Sequence, residues 1–563
     1  MSTPAPEFFS FMSQYQESFP PHTPITPLTD MIMDEDDDVE EIVRADLNQP
    51  WNARFSPSSS SPGSSDGSGG FFPGENPYMM LKEPQFGNSS PEMMTLRFDR
   101  KTCGILSVKD GPTENPWRTL IWPMARDSPA LYHAIASMTS FHESTNQPQM
   151  RVQGLEHMRA SIHTLANGIA SMSLETAIAT TLTLAFSESW DQHISTGIDH
   201  IKGARVLVNQ ALTKHRQSAY RGDQLSRLKF LCNTWVYQDV IARLTSADND
   251  DSNDFDSVYD MLPDFSGAEV EVDPLMGCAQ TLFPIIGRVA NLVRQCRSCE
   301  SNTPAMISHA VTLKTLLEGW APPIILEEPE DPTSQSEENQ QTAEAYRWAT
   351  LLYLHQAVPE IPSPSSAELA RKVLVYLATV PLSSRTVIVQ IYPLTAAGCE
   401  ASDEATRKFV RERWESMAAR MKIGVIDRCF EVTKEVWSRR DEYEAKRNSP
   451  TTAASTLPLN TLKRSLDFDE EGGDEFEWQA DMDGFGDGSG DGGGGKRRAM
   501  ASPNDLPRPV RIMQQEQRSR KRSSDMRTGV VDREYTVRGS LHWLGVMRDW
   551  NWEGKLSDPL CRS

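Results

Sequence analysis

The chain has 563 residues, among them 37 prolines and 33 glycines, and a formal net charge of −22. That charge excludes a surface that grips nucleic acid throughout, because phosphate contacts need clustered Lys and Arg. Its eight cysteines have no framework spacing, which predicts a reducing compartment rather than a disulfide-stapled fold.

Residues 1–91 come first. Their "SPSSSSPGSSDGSGG" stretch cannot bury enough apolar surface to fold, so a disordered region is expected. The opening "MSTPAPEFFSFMSQYQ" lacks a basic region followed by an apolar run, so it does not read as a secretory signal. Further along, "TAIATTLTLAF" is too short to cross a bilayer and "TVIVQIYPL" is broken by Pro393. A soluble intracellular protein with no membrane partner is expected.

Residues 92–447 carry regular apolar periodicity and are expected to form one large all-α domain, an array of antiparallel amphipathic helices. Ser128 followed by Pro129 reads as a helix cap and first helical residue. Leu131, Ile135, Met138 and Phe141 then recur at helical spacing, and Val152, Leu155, Met158, Ile162, Leu165 and Ile169 repeat the pattern. "LETAIATTLTLAFSESW" is apolar nearly all round, as suits a helix in the middle of a bundle. Further stripes predict helices over 198–212, 225–244, 343–358, 367–380 and 385–397. Val410, Trp414, Met417, Met421, Val425, Cys429, Val432 and Val436 make one continuous stripe, which predicts the longest helix.

Chemistry is hard to find in this domain. Cys296 and Cys299 form a Cys-x-x-Cys, but no second pair stands near enough to complete a tetrahedral zinc site. Leu282, Ile285, Ile286, Val289, Leu292 and Val293 place Cys296 on an apolar helix face, where a thiol behaves as a small hydrophobe. Seven histidines (His133, His142, His157, His163, His193, His200 and His215) include no H-E-x-x-H and read as surface or satisfied core groups. Glu188 and Asp191, flanking Trp190, read as helix-end charges rather than a catalytic pair. "GSSDG" imitates a nucleophile elbow and "GDGGGGK" a phosphate loop, yet both lie in glycine-rich linkers without the strand that either motif needs. No catalytic residue, metal ligand or cofactor is expected, and no enzyme.

Residues 448–532 are expected to be a disordered linker, acidic and then basic. The acidic part, "LDFDEEGGDEFEWQADMDGFGD", interleaves Leu466, Phe468, Phe476, Trp478, Met482 and Phe485 with acids. Repulsion among the acids would keep these apolar groups exposed for a partner's groove, as in activation segments. "MIMDEDDDVEEIV", from Met31, is a weaker second candidate. Lys496, Arg497 and Arg498, then Arg518, Arg520, Lys521 and Arg522, form two basic clusters suited to an importin. Residues 533–563 recover aromatic density in "YTVRGSLHWLGVMRDWNWE" and are expected to dock back onto the helices.

Several long strings together resemble the fungal-specific transcription factor domain family. They are "LRFDRKTCGILSVKDGPTENPWRTLIWPMARDSPALYHAIASMTSFH", the run over 177–212, "FLCNTWVYQDVIARLT", "AYRWATLLYLHQAVPEIPS", "RRDEYE" and "VRGSLHWLGVMRDW". The resemblance covers roughly 96–444 and part of the C-terminal segment. It implies an all-α, nuclear, regulatory domain, effector-sensing or dimerising, that usually follows an N-terminal zinc binuclear cluster. That cluster needs six cysteines in two close groups, whereas the first cysteine here is Cys103, inside the helical domain. Either the sequence is a truncated gene model, the reading favoured here, or the protein regulates without its own zinc cluster. The expected function is thus a fungal transcriptional regulator whose partners are coactivators or the transcription machinery and importin, with a second copy as a further candidate and no specific DNA binding of its own. The alternative is a transcriptional cofactor or interaction scaffold.

Overall fold

Ser128 caps the first long helix as its sequence predicts, accepting a hydrogen bond from the Leu131 N–H at 3.4 Å, with Pro129 in the first turn. In this computed structural model, which describes residues 86–87, 90–191, 197–247, 252–262, 271–325, 329–448 and 532–552, the described residues form sixteen α-helices and no strand. An isolated bridge between Asp273 and Gly277 is their one sheet-like pairing.

The chain enters through α1 (Pro91–Arg97) and α2 (Trp122–Ala125), then runs through α3 (Pro129–Ser144), α4 (Met150–Gly168) and α5 (Leu174–Trp190). Uniform hydrophobicity puts α5 at the centre of this part: it is buried on most of its circumference and packs on α3, on α6 (Ile198–Gln217) and on α7 (Gly222–Arg243). Where α3 and α4 meet, Gly154 leaves room for the Phe141 ring, and its carbonyl accepts a hydrogen bond from Ser137 Oγ at 2.8 Å. After α8 (Asp254–Met261) come α9 (Phe283–Ser298), α10 (Pro304–Gly319), α11 (Ser336–Ala357), α12 (Ser366–Thr379), α13 (Ile391–Gly398), α14 (Glu404–Met421) and α15 (Gly424–Asn448). The last helix, α16 (Trp543–Asp549), packs against α15. Nearly all buried apolar side chains belong to one connected core, which includes Trp543 and Leu544 of α16.

Two predicted helices are broken. The long apolar stripe is divided between α14 and α15, because Lys422 takes a left-handed conformation (φ 52°) at the end of α14. The tip of α3 holds this break: Thr145 Oγ1 donates to the Lys422 carbonyl at 2.9 Å, and Lys422 Nζ donates to Asn146 Oδ1. Beyond the break the buried position moves on by one residue, so Ile426 is fully buried while Val425 is only partly so. The helix expected over 385–397 is a 3₁₀ turn (Arg385–Val389) followed by α13. Pro393 has no N–H to offer a preceding turn, so it sits in the first turn of a restarted helix, where none is needed. Gln390 at the joint is buried, donating to Thr342 Oγ1 at 2.8 Å and accepting from Arg413 at 2.6 Å.

Candidate regulatory site

The C-terminal segment is tied to the helices by a closed circuit of buried polar groups. His542, fully buried, caps α16: its Nδ1 accepts the Leu544 N–H at 3.1 Å. The ring proton therefore sits on Nε2, which donates to Gln356 Oε1 at 3.0 Å. Gln356 Nε2 in turn donates to Glu400 Oε1 at 2.8 Å, and the same oxygen accepts from Arg440 Nη2 at 2.7 Å. Arg440 Nε closes the circuit by donating to the Leu541 carbonyl at 2.9 Å. Burial, and then the nearby Arg440 and Arg297 cations, hold the His542 pKa well below the usual histidine value, so the ring is neutral. Apolar packing reinforces the circuit, because the Trp543 ring lies stacked at 5.5 Å from Tyr353 of α11.

The same segment meets the end of α15. Tyr443 Oη donates to Asp532 Oδ2 at 2.8 Å, and Tyr535 Oη donates to Glu444 at 3.2 Å. Asp532, where the described chain resumes after Asn448, therefore lies beside the C-terminal end of α15. Both groups of functional candidates read from the sequence fall within 449–531 and lie outside the described residues. These are Leu466, Phe468, Phe476, Trp478 and Phe485 for activation, and Lys496, Arg497, Arg498, Arg518, Arg520, Lys521 and Arg522 for import. The acidic run from Met31 and both glycine-rich motifs also lie outside them.

One turn of α11 away from this anchor, a cleft of about 120 Å³ opens between α10, α11 and α12. Trp348, Leu351, Leu354, Ile361 and Leu369 supply apolar walls, with Lys314, Glu318, His355, Ser363 and Lys372 around them. Lys372 Nζ lies 3.6 Å from the Trp348 ring centre, and the Arg347 guanidinium is 4.7 Å from that centre. His355 Nδ1 is 2.5 Å from Ser363 Oγ. Burial lowers the His355 pKa, though Glu400 opposes the shift. Sequence reasoning missed this cleft. The available signal was "LLYLHQAV", where His355 and Gln356 interrupt an otherwise apolar run.

The remaining candidates have structural partners. Cys296 is fully buried on α9, and Cys299 is half-buried just beyond it, its carbonyl accepting from Arg538 Nε at 2.9 Å. No group of three or more His, Cys, Asp or Glu among the described residues is arranged to hold a metal ion. His133 and His157 face each other at 2.9 Å through Nδ1, His142 meets Thr102 Oγ1 at 3.1 Å, and His163 contacts Asn167. His215 Nδ1 accepts the Tyr220 N–H, His200 stands 3.5 Å from Glu188, and His193 lies outside the described residues. Asp191, just past the end of α5, accepts two hydrogen bonds from Arg151, at 2.7 and 3.0 Å. No helix among the described residues is long and apolar enough to cross a membrane. The profile of a family described as "Fungal specific transcription factor domain" matches residues 97–470, while no curated protein and no solved structure matches.

Proposed function

We propose that this chain, which belongs to the fungal specific transcription factor domain family, is the regulatory and activating portion of a nuclear transcription regulator. The observation that carries this reading is the return of the chain to α15 at Asp532. It places the residues on either side of 449–531 together on the helical body of a transcription factor family. The stretch between them contains the acidic-aromatic run and the two basic clusters. In the proposed mechanism, Leu466, Phe468, Phe476, Trp478 and Phe485 enter an apolar groove of a coactivator, and the acids around them keep them in water until they do. Lys496, Arg497, Arg498, Arg518, Arg520, Lys521 and Arg522 serve importin. The family's regulatory character favours a role without catalysis. DNA readout needs side chains presented to base edges. The sequence contains no six-cysteine cluster, and its first cysteine, Cys103, is buried in the core.

The test fuses the full chain to a foreign DNA-binding domain above a reporter gene. Replacing Phe468, Phe476, Trp478 and Phe485 with Ala should remove most activation while leaving the amount of protein unchanged. Equal activation by parent and variant would overturn the activating role. Replacing the seven basic residues with Ala in a fluorescent fusion should abolish nuclear accumulation, and unchanged accumulation would overturn the import role.

A further inference from the structure

We propose that the cleft between α10, α11 and α12 binds a small organic carboxylate with a compact apolar body, and that Lys372 is its counter-ion. The proposal does not depend on the transcriptional reading.

Size comes first. A void of about 120 Å³ is well below the range of roughly 300 Å³ and more that accommodates drug-sized ligands. It is close to the ~150 Å³ apolar cavity that takes up benzene in another protein. A single ring or a short branched chain fits. Leu351, Leu354, Ile361 and Leu369 are buried and offer that body an apolar wall, and Trp348 adds an aromatic one.

Charge sets the other end. Lys372, on α12, stands exposed at the cleft with its ammonium over the Trp348 ring, and it forms no ion pair among the described residues. The three nearby acids are otherwise engaged, Glu344 with Arg347 at 2.8 Å. Glu318 pairs with Lys314 at 2.9 Å, and Glu368 turns back to cap α12 through the Ser365 N–H and hydroxyl, each at 3.1 Å. Arg347 and Arg371 add further positive charge. Burial first, then Arg347 and Arg371, lower the Lys372 pKa, while Glu368 and Glu318 oppose the shift. Lys314, Arg347, Arg371 and Lys372 stand against Glu318, Glu344 and Glu368, so one positive charge is in excess where the apolar void opens, and an incoming carboxylate would relieve it. His355 also lines the cleft, its ring placed by Ser363. With Nδ1 taken by Ser363, Nε2 is the ring nitrogen left for the ligand's second oxygen. Ammonium, imidazole and apolar wall together match a carboxylate better than a neutral or a fully polar ligand.

The experiment titrates the purified full chain by calorimetry with sodium benzoate, sodium butyrate, benzyl alcohol and inorganic phosphate. At least one carboxylate should give a saturable isotherm with one site per chain. Benzyl alcohol should bind about tenfold more weakly than benzoate, since it lacks the charge-assisted hydrogen bond. Phosphate, with no apolar body, should not compete. Lys372→Gln should weaken carboxylate binding by about tenfold, and Lys372→Arg should retain most of it, both variants having the parent's thermal midpoint. Failure of both carboxylates to bind would overturn the site. Benzyl alcohol binding as well as benzoate, or K372Q binding as well as the parent, would overturn the assignment to Lys372. Effective competition by phosphate would overturn the apolar half of the pocket.

Discussion

Acidification should loosen the C-terminal anchor through His542. In the folded chain this ring is fully buried, capping α16 and donating to Gln356, and its pKa lies well below that of an unfolded histidine. A depressed folded pKa means that the unfolded chain takes up the proton first. The contribution to stability is therefore complete above the unfolded value of about 6.5 and is lost as pH falls below it. Between pH 7.5 and 5.5 an unfolded histidine gains almost one proton's worth of binding free energy, about 1.4 kcal/mol, while the buried ring gains almost none. Replacing His542 with Asn keeps a side-chain acceptor for the cap but is too short to reach Gln356. At pH 7.5 this variant should be less stable by about 1–3 kcal/mol, the cost of an unsatisfied buried polar group. Urea unfolding of parent and H542N at both pH values gives the decisive quantity, the gap between them. His142 and His157, each lowered to about 4, cancel in that difference because both proteins carry them. The gap should shrink by about 1.4 kcal/mol at the lower pH. A gap that stays constant would show that His542 is not held neutral, and the argument from its burial would fail.

Two further outcomes follow from packing. Arg440→Met leaves the Glu400 carboxylate buried without its cation and should cost about 3–5 kcal/mol in urea unfolding; adding Glu400→Leu should recover most of that, and a double variant no more stable than the single one would contradict the ion-pair account. Gly154→Ala places a methyl group 2.9 Å from the Phe141 ring, so an overpacking penalty of about 1–3 kcal/mol should outweigh the gain of about 1 kcal/mol in helix propensity and lower the thermal midpoint. Gly168→Ala, whose added methyl would meet only the end of Met172 at 4.0 Å, is the matched control and should not lower it.

Periodicity made the helical class legible because each helix must turn an apolar stripe inward, and α5, apolar all round, could only sit in the middle. Caps were legible too: Ser128 with Pro129 marks the start of α3 by chemistry local to four residues. The break at Lys422 was hidden for a physical reason. Apolar spacing continues from Met421 to Val425 as though the helix ran on, and what stabilises the break is a contact with Thr145, remote in sequence. The anchor circuit was hidden in the same way, since Gln356, Glu400, Arg440 and His542 carry no motif and meet only in the folded chain. The packing of 532–552 against the helices fits the aromatic density of that stretch, but its partners could not be anticipated. The cleft joins three helices and a loop, so no window of sequence contains it. The activation and import candidates rest on composition and charge alone, which is what sequence reports most directly.

Because Asp532 returns to the place where α15 ends, the backbone between 448 and 532 is not what holds the two pieces together. The Trp543 stack, the His542 circuit and the Arg439 ion pair to Asp549 at 2.6 Å do that through space. We expect that cutting the chain once within 449–531 leaves two polypeptides held together by these contacts, as co-purification of the two would show. Such a cut would divide the proposed activation residues and the basic clusters between two separately expressed fragments that should reassemble by docking. Loop length is constrained only weakly by such an arrangement, because closure entropy grows with the logarithm of the number of residues.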